Sequence, residues 1–148
     1  MQKQISSTRK AYLAGFLDGD GSIYVRLKPN STYRYGFQVA PYIVLFQSQK
    51  DQANFEKICN LINLGHLRER KDGILEYIMN RKESIQRFLR IVEAHVILKK
   101  EQIKLMKEIL DAKEKVADKK DFEKLMKLVD RFRELNYSKR RKKRALTP

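Results

Sequence analysis

The stretch Leu13-Ala14-Gly15-Phe16-Leu17-Asp18-Gly19-Asp20-Gly21 restricts what this chain can fold into more than any other. Ser6, Ser7 or Thr8 can cap a helix over about Ser7 to Asp20, and Gly19 and Gly21 mark its end. Strand chemistry follows at once. Ile23, Val25 and Leu27 alternate with Tyr24, Arg26 and Lys28. Gly15 and Gly19 stand four residues apart on one helix face, and each costs about 1 kcal/mol relative to alanine. Either another backbone comes close there, or the glycines serve ordinary helix packing and a C-cap.

The two aspartates are placed against the helix dipole. Asp18 and Asp20 lie at the C-terminal end, where the macrodipole is already negative and a carboxylate is unfavourable by a few tenths of a kcal/mol or more. A divalent cation would reverse that sign, since carboxylates and backbone carbonyls are both hard oxygen ligands. A turn shaped by the two aspartates is the plainer alternative. An EF-hand is excluded by position. Counted from Asp18, its sixth place should be glycine and is Ile23, and its twelfth should be glutamate and is Pro29.

The remaining elements alternate. Pro29 to Thr32 is a turn cluster, and a long β run covers Tyr33 to Gln47, with Pro41 arguing for an edge or a bulge. Asp51 opens a helix with Phe55, Ile58, Leu61 and Ile62 on one face, and Gly65 is expected to stop it. Two short strands, Leu67 to Arg70 and Leu75 to Asn80, are joined through Lys71-Asp72-Gly73, a hairpin signal. Helical spacing resumes at Ile85, Phe88, Leu89 and Val92, and two longer helices follow near Lys100 to Val116 and Lys120 to Asn136. The expectation is an α+β fold of order αββαββα with additional C-terminal helices, one domain over 1–137, and a basic tail over 138–148.

Lysine and arginine total 33 against 18 acidic residues, a formal charge of +15. Such an excess is self-repelling unless a polyanion offsets it, and nucleic acid is the commonest polyanion. No apolar run approaches the roughly 20 residues of a spanning helix. A single cysteine, Cys59, excludes an internal disulfide framework and a CxxC metal site. These features point to an intracellular protein, in a prokaryotic cytoplasm or an organelle matrix, with no membrane partner.

Leu13 to Gly21 followed by Ser22-Ile23 resembles the signature of the LAGLIDADG homing endonucleases, in particular the subgroup with one motif per chain that acts as a homodimer. The likeness extends through Lys28-Pro29-Asn30, Gly65-x-Leu67-Arg68-x-Arg70, Leu135-Asn136 and Ser138-Lys139, and so spans nearly the whole chain. The resemblance implies site-specific double-strand cleavage of a long, near-palindromic DNA target, promoting mobility of an encoding intron or intein. It assigns Leu13, Ala14, Gly15, Asp18 and Gly19 to a dimer seam, and Asp20 with the Gly19 carbonyl to a metal, Mg²⁺, for which Mn²⁺ or Ca²⁺ can substitute in binding. Asp20, Gln47 and Lys99 are the implied catalytic residues, with Lys100 an adjacent competitor for the lysine role.

The antiparallel sheet is implied to read duplex DNA in the major groove. Arg68 and Arg70 suit guanine, Gln38 and Asn30 suit adenine, and Glu76 suits cytosine. Tyr24, Arg26, Lys28, Thr32, Tyr33 and Tyr42 are further candidates, while Lys139 and Arg141 in the tail suit phosphates. One departure from the subgroup is visible. A basic residue expected a few positions after Gln47 is replaced by Asp51, which can cap the next helix, with Lys50 as a substitute charge. The alternatives on the same scaffold are an RNA-binding splicing maturase, which makes intron RNA a further partner, and a DNA-binding regulator that does not cut. A basic ribosome-associated protein would explain the charge but not the placement of Asp18 to Gly21.

Overall fold

A computed structural model of the chain describes residues 4–136. Its elements run α1 (Ser7–Asp20), β1 (Gly21–Pro29), β2 (Phe37–Ser48), α2 (Gln52–Ile62), β3 (His66–Glu69), β4 (Ile74–Met79), α3 (Lys82–Val92), α4 (Lys100–Glu114) and α5 (Lys119–Asn136). The αββαββα order with further helices is therefore observed. The four strands form one sheet in the order β1-β2-β4-β3. The described residues divide into two compact units, one of residues 4–23 and 42–100, the other of residues 24–41 and 101–136. Lys139 and Arg141, with the rest of the basic tail, lie outside the described residues.

In the first unit, β2 and β4 pair antiparallel, with Ile43 opposite Met79, Leu45 opposite Tyr77 and Gln47 opposite Leu75. Opposed residues share a face, and Ile43, Leu45, Leu75, Tyr77 and Met79 are all buried. That face belongs to the core. The other face carries Phe46 opposite Glu76, and Arg68 of β3 also opposes Glu76. α1 packs on α3. Leu13, Ala14 and Leu17 of α1 and Ile85, Phe88, Leu89 and Val92 of α3 are each fully buried. Side chains of this size stabilise by roughly 1.5–3 kcal/mol each when buried. In the second unit, Ile103, Leu105, Met106, Ile109 and Leu110 of α4 and Leu125, Val129 and Phe132 of α5 are buried.

Three local expectations need correction. Asn63, not Gly65, ends α2. It takes the left-handed conformation (φ 50°) and its N–H reaches Cys59 O, a C-cap that asparagine tolerates. Gly65 serves close approach instead, since a Cβ there would collide with the Ile78 carbonyl. Asp51 occupies the N-cap position of α2 without capping it. Its Oδ1 accepts from the Asn54 side-chain amide, after a single 3-10 turn over Gln49–Asp51. Pro41 is buried within a strand that is central in the sheet order. It is tolerated because the β2–β4 ladder begins only at Ile43, so no hydrogen bond of that ladder needs its missing N–H. The hairpin between β3 and β4 is as expected, with Gly73 at φ +84° and Asp72 Oδ1 accepting from Ile74 N.

Candidate active site at the end of the first helix

The phase of α1 decides which residues of the motif face where. Leu13, Ala14 and Leu17 fall on the inward side and are 0% exposed. Gly15 and Gly19 fall on the opposite side, are exposed, and a Cβ built on either meets nothing within 4 Å. Leu13 and Ala14 are thus used up by the chain's own core and have no surface for a second copy. The residues that share the open side with the two glycines include Tyr12, 56% exposed, whose ring lies 6.3 Å from that of Phe16.

Asp18 makes its hydrogen bonds within the chain. Its Oδ2 accepts from Ile97 N (2.8 Å) and Leu98 N (3.0 Å), and its Oδ1 from Lys99 N (3.2 Å). The turn that leads into α4 contains Val96, Ile97, Leu98 and Lys99, none of which has a capping side chain. Asp18 supplies the missing acceptor from far upstream. In return, Lys99 Nζ donates to Asp18 O at 3.3 Å. α1 has no basic residue of its own in its last turn, and the Lys99 ammonium provides the cation that a helix C-terminus favours. This geometry separates Lys99 from its neighbour. Lys99 is half-buried against the motif, whereas Lys100 is exposed at the first position of α4. Ile97 and Leu98 remain 75% and 72% exposed. The missing local cap before Lys100 was the one sequence sign that something distant holds this turn.

Asp20 is exposed, and its carboxylate has no hydrogen-bond or ion-pair partner among the described residues. One chain therefore presents a free carboxylate beside the backbone carbonyls that end α1. Among the described residues no group of three or more His, Cys, Asp or Glu could cage a metal. That donor set fits a hard divalent cation bound in the manner of Mg²⁺, through one or two carboxylates with phosphate oxygens and water completing the shell. Gln47 is half-buried near the end of β2, on the core-facing side of the sheet opposite Leu75. Its Oε1 accepts from Ser48 N at 2.8 Å, so the group left to point elsewhere is the Nε2 amide. Lys50 is exposed beside it in sequence, and its N–H is bonded to Ser48 Oγ.

The proposed DNA-reading residues fall in both units. In the first, Arg68 is exposed and opposes the half-buried Glu76, and Tyr42 is half-buried on β2. Arg70 lies just past β3, where its guanidinium pairs with Asp72 at 2.6 Å. In the second, Arg26 is exposed on β1 between the half-buried Tyr24 and Lys28, and Gln38 is half-buried on β2. Asn30 Oδ1 accepts from both Thr32 N (3.0 Å) and Thr32 Oγ1 (2.6 Å), an Asx turn that orders the loop carrying exposed Tyr33. Arg34 and Tyr35 were not singled out from sequence, yet they anchor that loop. Arg34 donates to Ala117 O at 3.1 Å, and Tyr35 stacks on Phe122 with ring centroids 4.8 Å apart. Tyr77 is a similar case in the first unit, its hydroxyl accepting from Leu64 N and Gly65 N at 2.7 Å each.

The helix-to-strand motif, its paired glycines and its terminal free aspartate sit inside a stretch, residues 13–110, that matches the family model described as LAGLIDADG endonuclease. The chain belongs to the LAGLIDADG endonuclease family. It is 31% identical over 132 residues to the DNA endonuclease I-CreI of Chlamydomonas reinhardtii, covering 88% of this chain and 80% of that relative. The DNA endonuclease I-CvuI of Chlorella vulgaris is 31% identical over 100 residues, 68% of this chain and 62% of its own length. Among solved structures, I-CvuI in complex with its target in the presence of Ca superposes with a TM-score of 0.83 at 27% identity, covering 91% of this chain and 86% of that one. The archaeal intron-encoded homing endonuclease I-Vdi141I complexed with DNA shares the fold, with a TM-score of 0.78 at 20% identity over 89% and 86% of the two chains. Among the described residues of this LAGLIDADG chain, no helix is long and apolar enough to cross a membrane.

Proposed function

We propose that this chain is a site-specific homing endonuclease that makes double-strand breaks in a long, near-palindromic DNA target and so promotes mobility of its encoding intron or intein. The observation that carries the reading is Asp20, an exposed and unpartnered carboxylate at the negative end of α1, two residues from the carbonyl that Lys99 holds. Its setting inside the cell follows from the same role, since the target is genomic DNA.

Two copies are needed to cut two strands, and a two-fold dimer supplies two sites. The open side of α1, with Gly15 and Gly19, supports close approach of two such helices. Ile97 and Leu98, large apolar groups exposed beside the end of that helix, extend the seam. In each site Asp20 and the Gly19 carbonyl would hold Mg²⁺, with Mn²⁺ or Ca²⁺ substituting in binding. The bound cation supplies Lewis-acid charge at the scissile phosphate. The Gln47 amide orients the attacking water, and the Lys99 ammonium offsets negative charge that builds on the phosphate. Arg68 of the first unit and, of the second, Arg26, Lys28, Asn30, Thr32, Tyr33 and Gln38 supply contacts to the major groove.

The test uses a plasmid carrying the uninterrupted sequence that flanks the gene's insertion point. With Mg²⁺ the purified protein linearises it, and Asp20→Asn does not. An intact plasmid, or equal cutting by Asp20→Asn, overturns the reading.

A further inference from the structure

We infer that the first unit carries a second nucleic-acid site, a groove at the N-terminal end of α1 that takes a single polynucleotide strand. This goes beyond the duplex-cleaving role proposed above and uses none of its residues. The groove encloses about 760 Å³ where the start of α1, the end of α2 and α3 meet. Arg9, Lys10, Lys57, Arg87 and Arg90 line it, and no carboxylate does. None of these five cations makes an ion pair among the described residues.

The charge placement is costly without a ligand. α1 has no acidic residue in its first turn, and it puts Arg9 and Lys10 near its positive end instead, where cations are disfavoured. Arg87 and Arg90 are three apart and therefore neighbours on one face of α3. Five like charges around one groove repel each other until an anion enters. The remaining lining suits a polynucleotide better than a free phosphate. Gln4, Asn60 and Asn63 offer amides, and Ile5, Leu61, Leu64 and Ile91 offer apolar contact to sugars and bases. A smaller hollow of about 250 Å³ adjoins it, sharing Leu64, Arg87 and Arg90 and adding Glu83, Ser84 and Gln86, so a carboxylate bounds the cationic groove on that side. Amide and apolar groups of this kind can meet the edges and faces of unpaired bases, which a duplex keeps paired and stacked.

The groove is also distinct from the cleavage site. α1 spans 14 residues, which at about 1.5 Å per residue sets its two ends roughly 20 Å apart. A phosphate held at Arg9 is therefore not one held at Asp20.

Fluorescence anisotropy on the full chain tests this with three probes at one fixed salt concentration: a labelled RNA strand of about 12 nucleotides, the DNA strand of the same sequence, and the corresponding duplex. The triple variant Lys57→Ala/Arg87→Ala/Arg90→Ala alters exposed positions only. We expect it to bind a single strand about tenfold or more weakly, with a salt slope shallower by about two, and to bind duplex as before. The double variant Arg26→Ala/Arg68→Ala on the strands should do the reverse. Whichever strand the wild type binds more tightly names the source, RNA or unwound DNA, and either supports the site. The inference fails if the triple variant leaves strand binding unchanged, or if both variants weaken all probes alike. Failure of plasmid cleavage would leave these binding ratios untouched, so the two readings fall separately.

Discussion

Asp18 and Lys99 hold each other twice. The Asp18 carboxylate accepts the backbone N–H of Lys99, and the Lys99 ammonium donates to the backbone carbonyl of Asp18. The first aspartate of the motif therefore fixes the lysine at the end of the helix that also carries the second. Asp18→Ala deletes the acceptor for three backbone N–H groups, and hydrogen bonds to a charged acceptor are worth about 1.5–3 kcal/mol each before relaxation and water replacement. The expected loss in denaturant unfolding is about 2–4 kcal/mol, with Asp18→Asn costing less because it keeps one oxygen acceptor. Cleavage should fall with either substitution even where the protein is fully folded, because Lys99 is no longer fixed. Unchanged turnover in folded Asp18→Asn would separate Lys99 from the site.

Asp20→Asn should behave in the opposite way. The carboxylate has no partner within the chain, and it opposes the dipole of α1. Its removal should leave the stability unchanged or raise it by a few tenths of a kcal/mol. Cleavage in Mg²⁺ should fall by about a hundredfold or more, since the proposed cation ligand is lost. Binding of duplex should persist. Loss of folding instead of activity would make Asp20 a structural residue.

The sequence displays the α1–β1 junction and the αββαββα order because the 3.6- and 2-residue periods are written in the apolar positions. The alternation on β1 was legible for the same reason, whereas Asp20 and Lys99 were pointed to by the resemblance of the motif and not by periodicity. The inward phase of Leu13 and Ala14 was not, because a motif with glycine on one side and apolar residues on the other does not say which side meets the chain's own core. The partners of Asp18 were not legible because the backbone donors from which its carboxylate accepts lie about eighty residues away, and no local pattern encodes such a pairing. Arg34, Tyr35 and Tyr77 escaped notice because their partners come from elements distant in sequence.

Gly15 and Gly19 separate folding from assembly. A side chain at either position meets open space in one chain, and a helical glycine costs up to about 1 kcal/mol relative to better helix formers. Gly15→Leu and Gly19→Leu should therefore fold at least as stably as the parent when monomeric, while sedimentation equilibrium shows the dimer lost and double-strand cleavage falls with it. A monomeric Gly19→Leu chain that still cut both strands normally would falsify the coupling of seam and site.

Alkaline stability should reflect Cys59 and Tyr77. Burial, reinforced by nearby Glu56, pushes the Cys59 thiol from 9.0 to about 12. Burial also raises the Tyr77 phenol, against the opposing effect of the hydrogen bonds from Leu64 and Gly65. Both folded-state values lie above the unfolded ones, so the unfolded chain releases protons first as pH rises. This contribution is complete below about pH 9 and is lost progressively up to about pH 12. Unfolding titrations across that range should show a falling midpoint, and Cys59→Ala should flatten the fall. The thiol should also resist alkylation at neutral pH until the protein unfolds.

The loop of the second unit offers a pair of substitutions with opposite signs. Tyr35 stacks on Phe122, but its hydroxyl is buried with no hydrogen-bond partner among the described residues. Tyr35→Phe keeps the stack and removes the unpaired group, so it should be neutral or stabilising by up to about 1 kcal/mol. Phe122→Ala removes the surface on which the loop rests and should cost about 1–3 kcal/mol, less than a fully buried phenylalanine because Phe122 is only half-buried. The consequence for recognition follows from position. Asn30, Thr32 and Tyr33 precede Tyr35 in the same loop, and a loop that can shift reads its bases less strictly. On the proposed assignment of Asn30, Thr32 and Tyr33 to base contacts, Phe122→Ala should therefore cut single-base variants of the target more nearly at the rate of the target itself. Undiminished discrimination by a folded Phe122→Ala chain would show that the Asx turn at Asn30 and Thr32 orders the loop by itself.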